Sequence, residues 1–120
     1  MIKTILVVED DSTISSSLKE LLEDNGYAVL TAFNGSEALD ILKKITAPSL
    51  IILDLMMPIM DGFEFRENQL SNPLIKDIPV IIMSADGHIE EKRERARTAY
   101  YLKKPLDIFH LLAVIEKLTV

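Results

Sequence analysis

The chain contains no cysteine. That excludes disulfides, thiolate zinc sites and thiol nucleophiles, and a reducing, cytoplasmic setting is the expectation. No apolar run approaches the length of a membrane span, and no basic-then-apolar leader opens the chain, so no membrane association is expected. An excess of basic charge is missing too: 13 Lys and Arg stand against 19 Asp and Glu, a formal net charge of −6. A chain of that sign is a poor direct partner for nucleic acid or an anionic bilayer. No repeat or low-complexity linker interrupts the 120 residues, a length that suits one domain with one core. Nothing follows the last helical pattern, so no output domain is expected within them.

What the chain has instead is a set of short apolar runs that end in polar residues. Leu50-Ile51-Ile52-Leu53 runs straight into Asp54, and Pro58 with Asp61-Gly62 closes the segment. A continuous apolar run of this length predicts a strand buried on both faces, as inside a parallel sheet. Thr4 to Val8 ends likewise in Glu9-Asp10-Asp11, Ile78 to Met83 in Ser84, and Tyr100 to Leu102 in Lys103-Lys104-Pro105. Tyr27 to Ala32 predicts a further strand. Between the runs, Ile14, Leu18, Leu21 and Leu22 share one helical face, as do Ala38, Leu39, Leu42 and Ile45, and Ile108, Leu111, Leu112, Ile115 and Leu118. Gly62 to about Leu70 predicts a weaker helix, anchored by Phe63, Phe65 and Leu70. Glu90 to Arg97 is charged almost throughout and reads as a solvated face on a short helix.

Strand and helix patterns alternate five times. Short connections of this kind predict an α/β fold with a doubly wound parallel sheet, the flavodoxin-like (βα)5 arrangement in order 2-1-3-4-5 with helices on both faces. The first and third strands then adjoin at the switch point, and their carboxyl ends bring Glu9, Asp10 and Asp54 together. Three crowded carboxylates repel each other unless a cation joins them, and hard oxygen ligands with open positions suit Mg2+. The fourth strand delivers the Ser84 hydroxyl to the same edge, and the fifth delivers the Lys104 ammonium. Asp54 as nucleophile, Mg2+ as charge neutraliser, and Lys104 and Ser84 as phosphoryl ligands form a phosphoryl-transfer site.

Val7-Val8-Glu9-Asp10-Asp11, Asp54-Leu55-Met56-Met57-Pro58 with Asp61-Gly62, Ser84-Ala85 and Lys104-Pro105 together resemble the receiver domain of two-component response regulators. The resemblance covers essentially the whole chain in order. It implies a single receiver domain over residues 1–120, a signalling switch that catalyses only its own phosphorylation and dephosphorylation. Asp54 would accept a phosphoryl group from a phosphohistidine on a histidine kinase or histidine phosphotransfer protein. Asp10, Asp54 and the backbone carbonyl of Met56 would bind Mg2+ directly, with Glu9 acting through water. Lys104 would bridge the phosphoryl group and the acids, and Ser84 would take a phosphoryl oxygen. Tyr101 would follow Ser84 inward as the switch aromatic. The face built from helix four, strand five and helix five would then engage a downstream effector protein.

Two features depart from the family pattern. The interval from Ser84 to Lys104 is short, and Arg97-Thr98-Ala99-Tyr100 replaces the usual Gly-Ala-Asp-like turn, which bears on helix four rather than on the site. Glu9 stands where many members carry Asp. A Mg2+-dependent phosphohydrolase with an aspartyl nucleophile is the alternative function. It needs a second acid–base carboxylate near the nucleophile, and Met56 stands two residues after Asp54 where an Asp-x-Asp pair would place one. A nucleotide or flavin binder would need a Gly-rich loop after the first strand, where Glu9-Asp10-Asp11 instead repels phosphate. Asp11 reads as a helix-start residue, and His88 and His110 as surface residues away from the acid cluster.

Overall fold

The computed structural model describes residues 2–85 and 87–120. Strands and helices alternate along it as β1 (Thr4–Val8), α1 (Ser12–Asp24), β2 (Ala28–Ala32), α2 (Gly35–Lys44), β3 (Leu50–Asp54), α3 (Gly62–Leu70), β4 (Val80–Ser84), α4 (Ile89–Ala96), β5 (Tyr100–Lys103) and α5 (Ile108–Leu118). The five strands form one parallel sheet in the order β2-β1-β3-β4-β5, the flavodoxin-like order.

The apolar runs are continuous because the sheet is covered on both sides. Ile5, Val7, Leu50, Ile52, Ile81 and Met83 pack under α1 and α5, against Leu18, Leu22, Leu111 and Ile115. The alternate residues Leu6, Val8, Ile51, Leu53, Val80 and Ile82 pack on the opposite side, against Ala38 and Leu42 of α2, Phe63 and Phe65 of α3, and Ala96 of α4.

Short polar side chains start most of the helices. Asp11 Oδ1 accepts from the backbone N–H groups of Thr13 and Ile14 at 2.9 and 3.1 Å. Asn34, Asp61 and Asp107 cap α2, α3 and α5 in the same way. Helix α4 starts instead from His88 at φ 60, with no side-chain cap bond. It is the shortest of the five helices, at 8 residues, and only Ala96 in it is fully buried.

Two strands begin later than their apolar runs. Tyr27 N–H donates to Leu22 O, and Gly26 at φ 90 donates to Glu23 O, both at 3.1 Å, so Tyr27 closes α1 and β2 begins at Ala28. Ile78 N–H donates to Ile75 O, and Pro79 has no N–H for a ladder, so β4 begins at Val80.

Helix α3 buries a polar pair that its apolar spacing does not single out. Arg66 is 6% exposed and Gln69 fully buried. Arg66 Nε donates to Ala96 O and Nη2 to Arg97 O, both at 2.7 Å, while Nη1 donates to Gln69 Oε1 at 2.6 Å. Gln69 Nε2 in turn donates to the carbonyls of Ile75 and Ile78, each at 3.0 Å. Arg97 and Thr98 N–H groups close on the carbonyls of Glu94 and Arg93, while the last carbonyls of α4, those of Ala96 and Arg97, take their donors from α3, and a cation lies where the helix dipole favours one. Arg95 adds a cation–π contact, its guanidinium 3.9 Å from the centre of the Phe63 ring. The charged run of α4 is thus only partly a solvated face.

Candidate phosphoryl-transfer site

The register of the sheet assembles the site. Val8 pairs with Leu53, so Glu9, the next residue, arrives beside Asp54. Asp54 pairs with Met83, and Ser84 with Lys103, which brings the end of β5 to the same edge. Lys104 N–H then donates to Ser84 O at 2.9 Å. Side chains alternate across a strand. Asp54 therefore follows Leu50 and Ile52 toward the α1–α5 side, whereas Ser84 follows Val80 and Ile82 toward the side covered by α4.

Glu9, Asp10, Asp54, Met56, Ser84 and Lys104 all line one open cleft of about 380 Å³. Carboxylate oxygens of Glu9, Asp10 and Asp54 lie within 4.8 Å of one another. Glu9 is fully buried and Asp54 is 4% exposed, whereas Asp10 faces solvent. Lys104 Nζ donates to Glu9 Oε1 at 2.6 Å and stands 3.5 Å from Asp54 Oδ1. The Lys104–Pro105 peptide is cis. Asp11, whose side chain caps α1, donates its backbone N–H to Glu9 Oε2 at 3.3 Å. Tyr101 lies off the cleft, half-buried against the core layer on the α4 side.

One ammonium does not balance two buried carboxylates. Burial pushes the Asp54 carboxyl up from 3.8 to about 7, helped by the hydrogen bond and charge of Glu9, against the opposing Lys104 charge and Met56 N–H bond. Burial works the same way on Glu9, but there the hydrogen bonds to Asp54 and Lys104 prevail and hold the carboxyl below its ordinary value. Burial lowers Lys104 less than its Glu9 bond and the Asp54 and Glu9 charges raise it, so it stays cationic. The Asp54 carboxyl therefore takes up a proton more readily than a free carboxyl. A hard divalent cation with few protein ligands fits this donor set, and Mg2+ meets that description.

Two contributors carry no signal in the sequence. The Met56 backbone N–H donates to the Asp54 carboxylate, a contact that depends on the turn after β3. Lys92 of α4 donates from Nζ to Ser84 Oγ at 2.8 Å, and nothing in a charged run marks one lysine as aimed at the sheet.

The turn after β3 also explains Gly62. A Cβ there would stand 2.6 Å from Asp54 O and 2.8 Å from Leu55 Cα, both backbone atoms that cannot swing aside. Gly62→Ala is expected to displace the end of β3 and to cost about 2 kcal/mol of stability, read from urea denaturation. A variant as stable as the parent would show that this junction relaxes freely.

The chain matches the family model of the response regulator receiver domain over residues 5–116. It is 36% identical over 116 residues to the response regulator MprA of Mycobacterium sp. (strain KMS), covering 95% of this chain and 49% of that protein. It is 35% identical over 115 residues to an uncharacterized 14.6 kDa protein of Leptolyngbya boryana, covering 94% and 87% of the two chains. Several of the curated relatives it matches are thus about twice its length. Among solved structures, the receiver domain of the Francisella response regulator 1452 superposes with a TM-score of 0.88 at 32% identity, over 98% of this chain and 96% of that one. The chemotaxis response regulator CheY4 of Vibrio cholerae does so with 0.89 at 29% identity, over 98% and 99%. The chain belongs to the response regulator receiver domain family of two-component signalling. Domains of this family are signalling switches. No helix among the described residues is long and apolar enough to cross a membrane.

Proposed function

We propose that residues 1–120 act as a single receiver domain, a phosphorylation-activated switch in a cytoplasmic two-component phosphorelay. The observation that carries this reading is the placing of a nearly buried Asp54 beside Lys104, Glu9 and Asp10 at the lip of one cleft. A carboxylate oxygen of Asp54 attacks the phosphorus of a phosphohistidine on a histidine kinase or histidine phosphotransfer protein. A P–O bond forms as the P–N bond breaks, and the electron pair leaves with the imidazole nitrogen. Asp10, Asp54 and the Met56 carbonyl would hold Mg2+ directly, with Glu9 acting through water. Mg2+, when bound, supplies positive charge to the transferring phosphoryl oxygens.

Lys104 offers a point charge to one phosphoryl oxygen while keeping its hold on the acids. Ser84 gives its hydroxyl to another oxygen. Tyr101, which packs on the same side of the sheet as Ser84, turns inward as that hydroxyl is drawn over. The surface of α4, β5 and α5 then presents an altered face to an effector protein. Such a switch shifts an existing equilibrium by the difference in contacts between its two states.

Incubation with acetyl phosphate and Mg2+, followed by intact mass and peptide mapping, tests the reading. Gain of one phosphoryl group on Asp54, abolished by EDTA, is the expected result. No uptake, or uptake at another residue, would overturn it. Rapid multiple turnover of phosphate esters would point instead to the phosphohydrolase.

A further inference from the structure

We propose that Lys92 is a positioning residue of the phosphoryl site, acting on it through Ser84 and tying α4 directly to the state of Asp54. The inference rests on the proposed function and adds a second cation to the site. Lys92 Nζ lies 2.8 Å from Ser84 Oγ, and Ser84 is only 2% exposed. The contact bridges two layers. Among the site residues carried by strands, Ser84 is the one that alternation turns toward α4, and Lys92 reaches down from α4 to meet it.

A serine hydroxyl has one proton to donate and two lone pairs to accept with, so it can do both at once. An ammonium bonded to one lone pair withdraws electron density from the oxygen and strengthens the bond the hydroxyl donates. It also fixes the χ1 angle that aims the hydroxyl. A phosphoryl group on Asp54 brings about two negative charges to the cleft. The Lys92–Ser84 contact then becomes more favourable, because a cation one hydroxyl away stabilises that charge in a partly buried setting. The anchoring of α4 follows. Its N-cap residue His88 makes no side-chain cap bond and one of its residues is fully buried, so a strengthened tether near its middle matters more than in a well-buried helix. Exposed Lys103, at the end of β5, serves as the control for loss of a positive charge without this contact.

Beryllofluoride with Mg2+, a tetrahedral mimic of the phosphoryl group, provides the test, with affinity read by calorimetry. Lys92→Met keeps the aliphatic stem and is expected to weaken binding about tenfold, the scale of one charge-assisted hydrogen bond. Lys92→Arg, which keeps the charge, should stay within about threefold of the parent, as should Lys103→Met. Combined with Ser84→Ala, Lys92→Met should cost nothing further, because its route to the ligand is already gone. Normal binding by Lys92→Met, or a full additive loss in the double variant, would overturn the role of Lys92. Failure of the parent protein to bind beryllofluoride would overturn the proposed function itself, and this inference with it.

Discussion

Asp54→Asn is expected to lose all phosphoryl uptake and at the same time to stabilise the metal-free fold, the more so at higher pH. The amide has no anionic oxygen to attack phosphorus, which accounts for the first effect. The second follows from the crowding of carboxylates. Burial, reinforced by Glu9, raises the Asp54 carboxyl from 3.8 to about 7 in the folded protein. Between those values the folded chain holds a proton that the unfolded chain has released. Stability therefore falls as pH rises through that window, and the loss is complete only above about 7. A neutral amide of the same shape has no such dependence. In EDTA, urea denaturation should find the variant more stable by about 2 kcal/mol at pH 8, with a clearly smaller gap at pH 5. An equal gap at both pH values, or a less stable variant at pH 8, would mean that Lys104 already balances the site.

The largest loss of stability is expected from Arg66→Met. The methionine keeps most of the buried volume and removes every donor. The buried Ala96 carbonyl and Gln69 Oε1, and the partly buried Arg97 carbonyl, would then lose their guanidinium partner. Unmet buried acceptors and the loss of a multiply bonded cation together cost about 3 kcal/mol or more. For a domain with marginal total stability this is a large fraction. The damage should also be local: amide exchange of residues 93–98 should quicken before that of α1, because α4 has little apolar surface to hold it once its carboxyl end is released. A loss under 1 kcal/mol, or uniform loosening of all five helices, would show that the network is not what holds α4.

The reason for that dependence separates what was legible in the sequence from what was not. The continuous runs ending at Val8, Asp54 and Ser84 can be buried only inside a sheet covered on both faces, and the helical spacings between them leave a doubly wound order as the economical arrangement. Parallel strands of nearly equal length then carry Glu9, Asp54, Ser84 and Lys104 to one edge. The convergence of those residues thus follows from strand alternation and connection alone. The boundaries at Tyr27 and Ile78 were less legible, because hydrophobic pattern does not distinguish a residue that pairs in the sheet from one that closes a turn.

The sequence by itself therefore determined the layers, the strand order and the residues that meet at the carboxyl edge, since continuous apolar runs mark the strands, a 3.6-residue period marks the helices, and the short connections between them order the sheet. Only the tertiary structure decided which polar side chains turn inward. Arg66 looks like an ordinary solvent-facing arginine until Ala96 O, 30 residues away, is placed against it. Lys92 is one charge among many until α4 is laid across Ser84. The burial of Glu9 under Lys104 joins residues 95 positions apart. A buried polar group is tolerated only where a partner completes its hydrogen bonds. That partner comes from a distant segment, so no periodicity within the helix or strand that carries the group announces it.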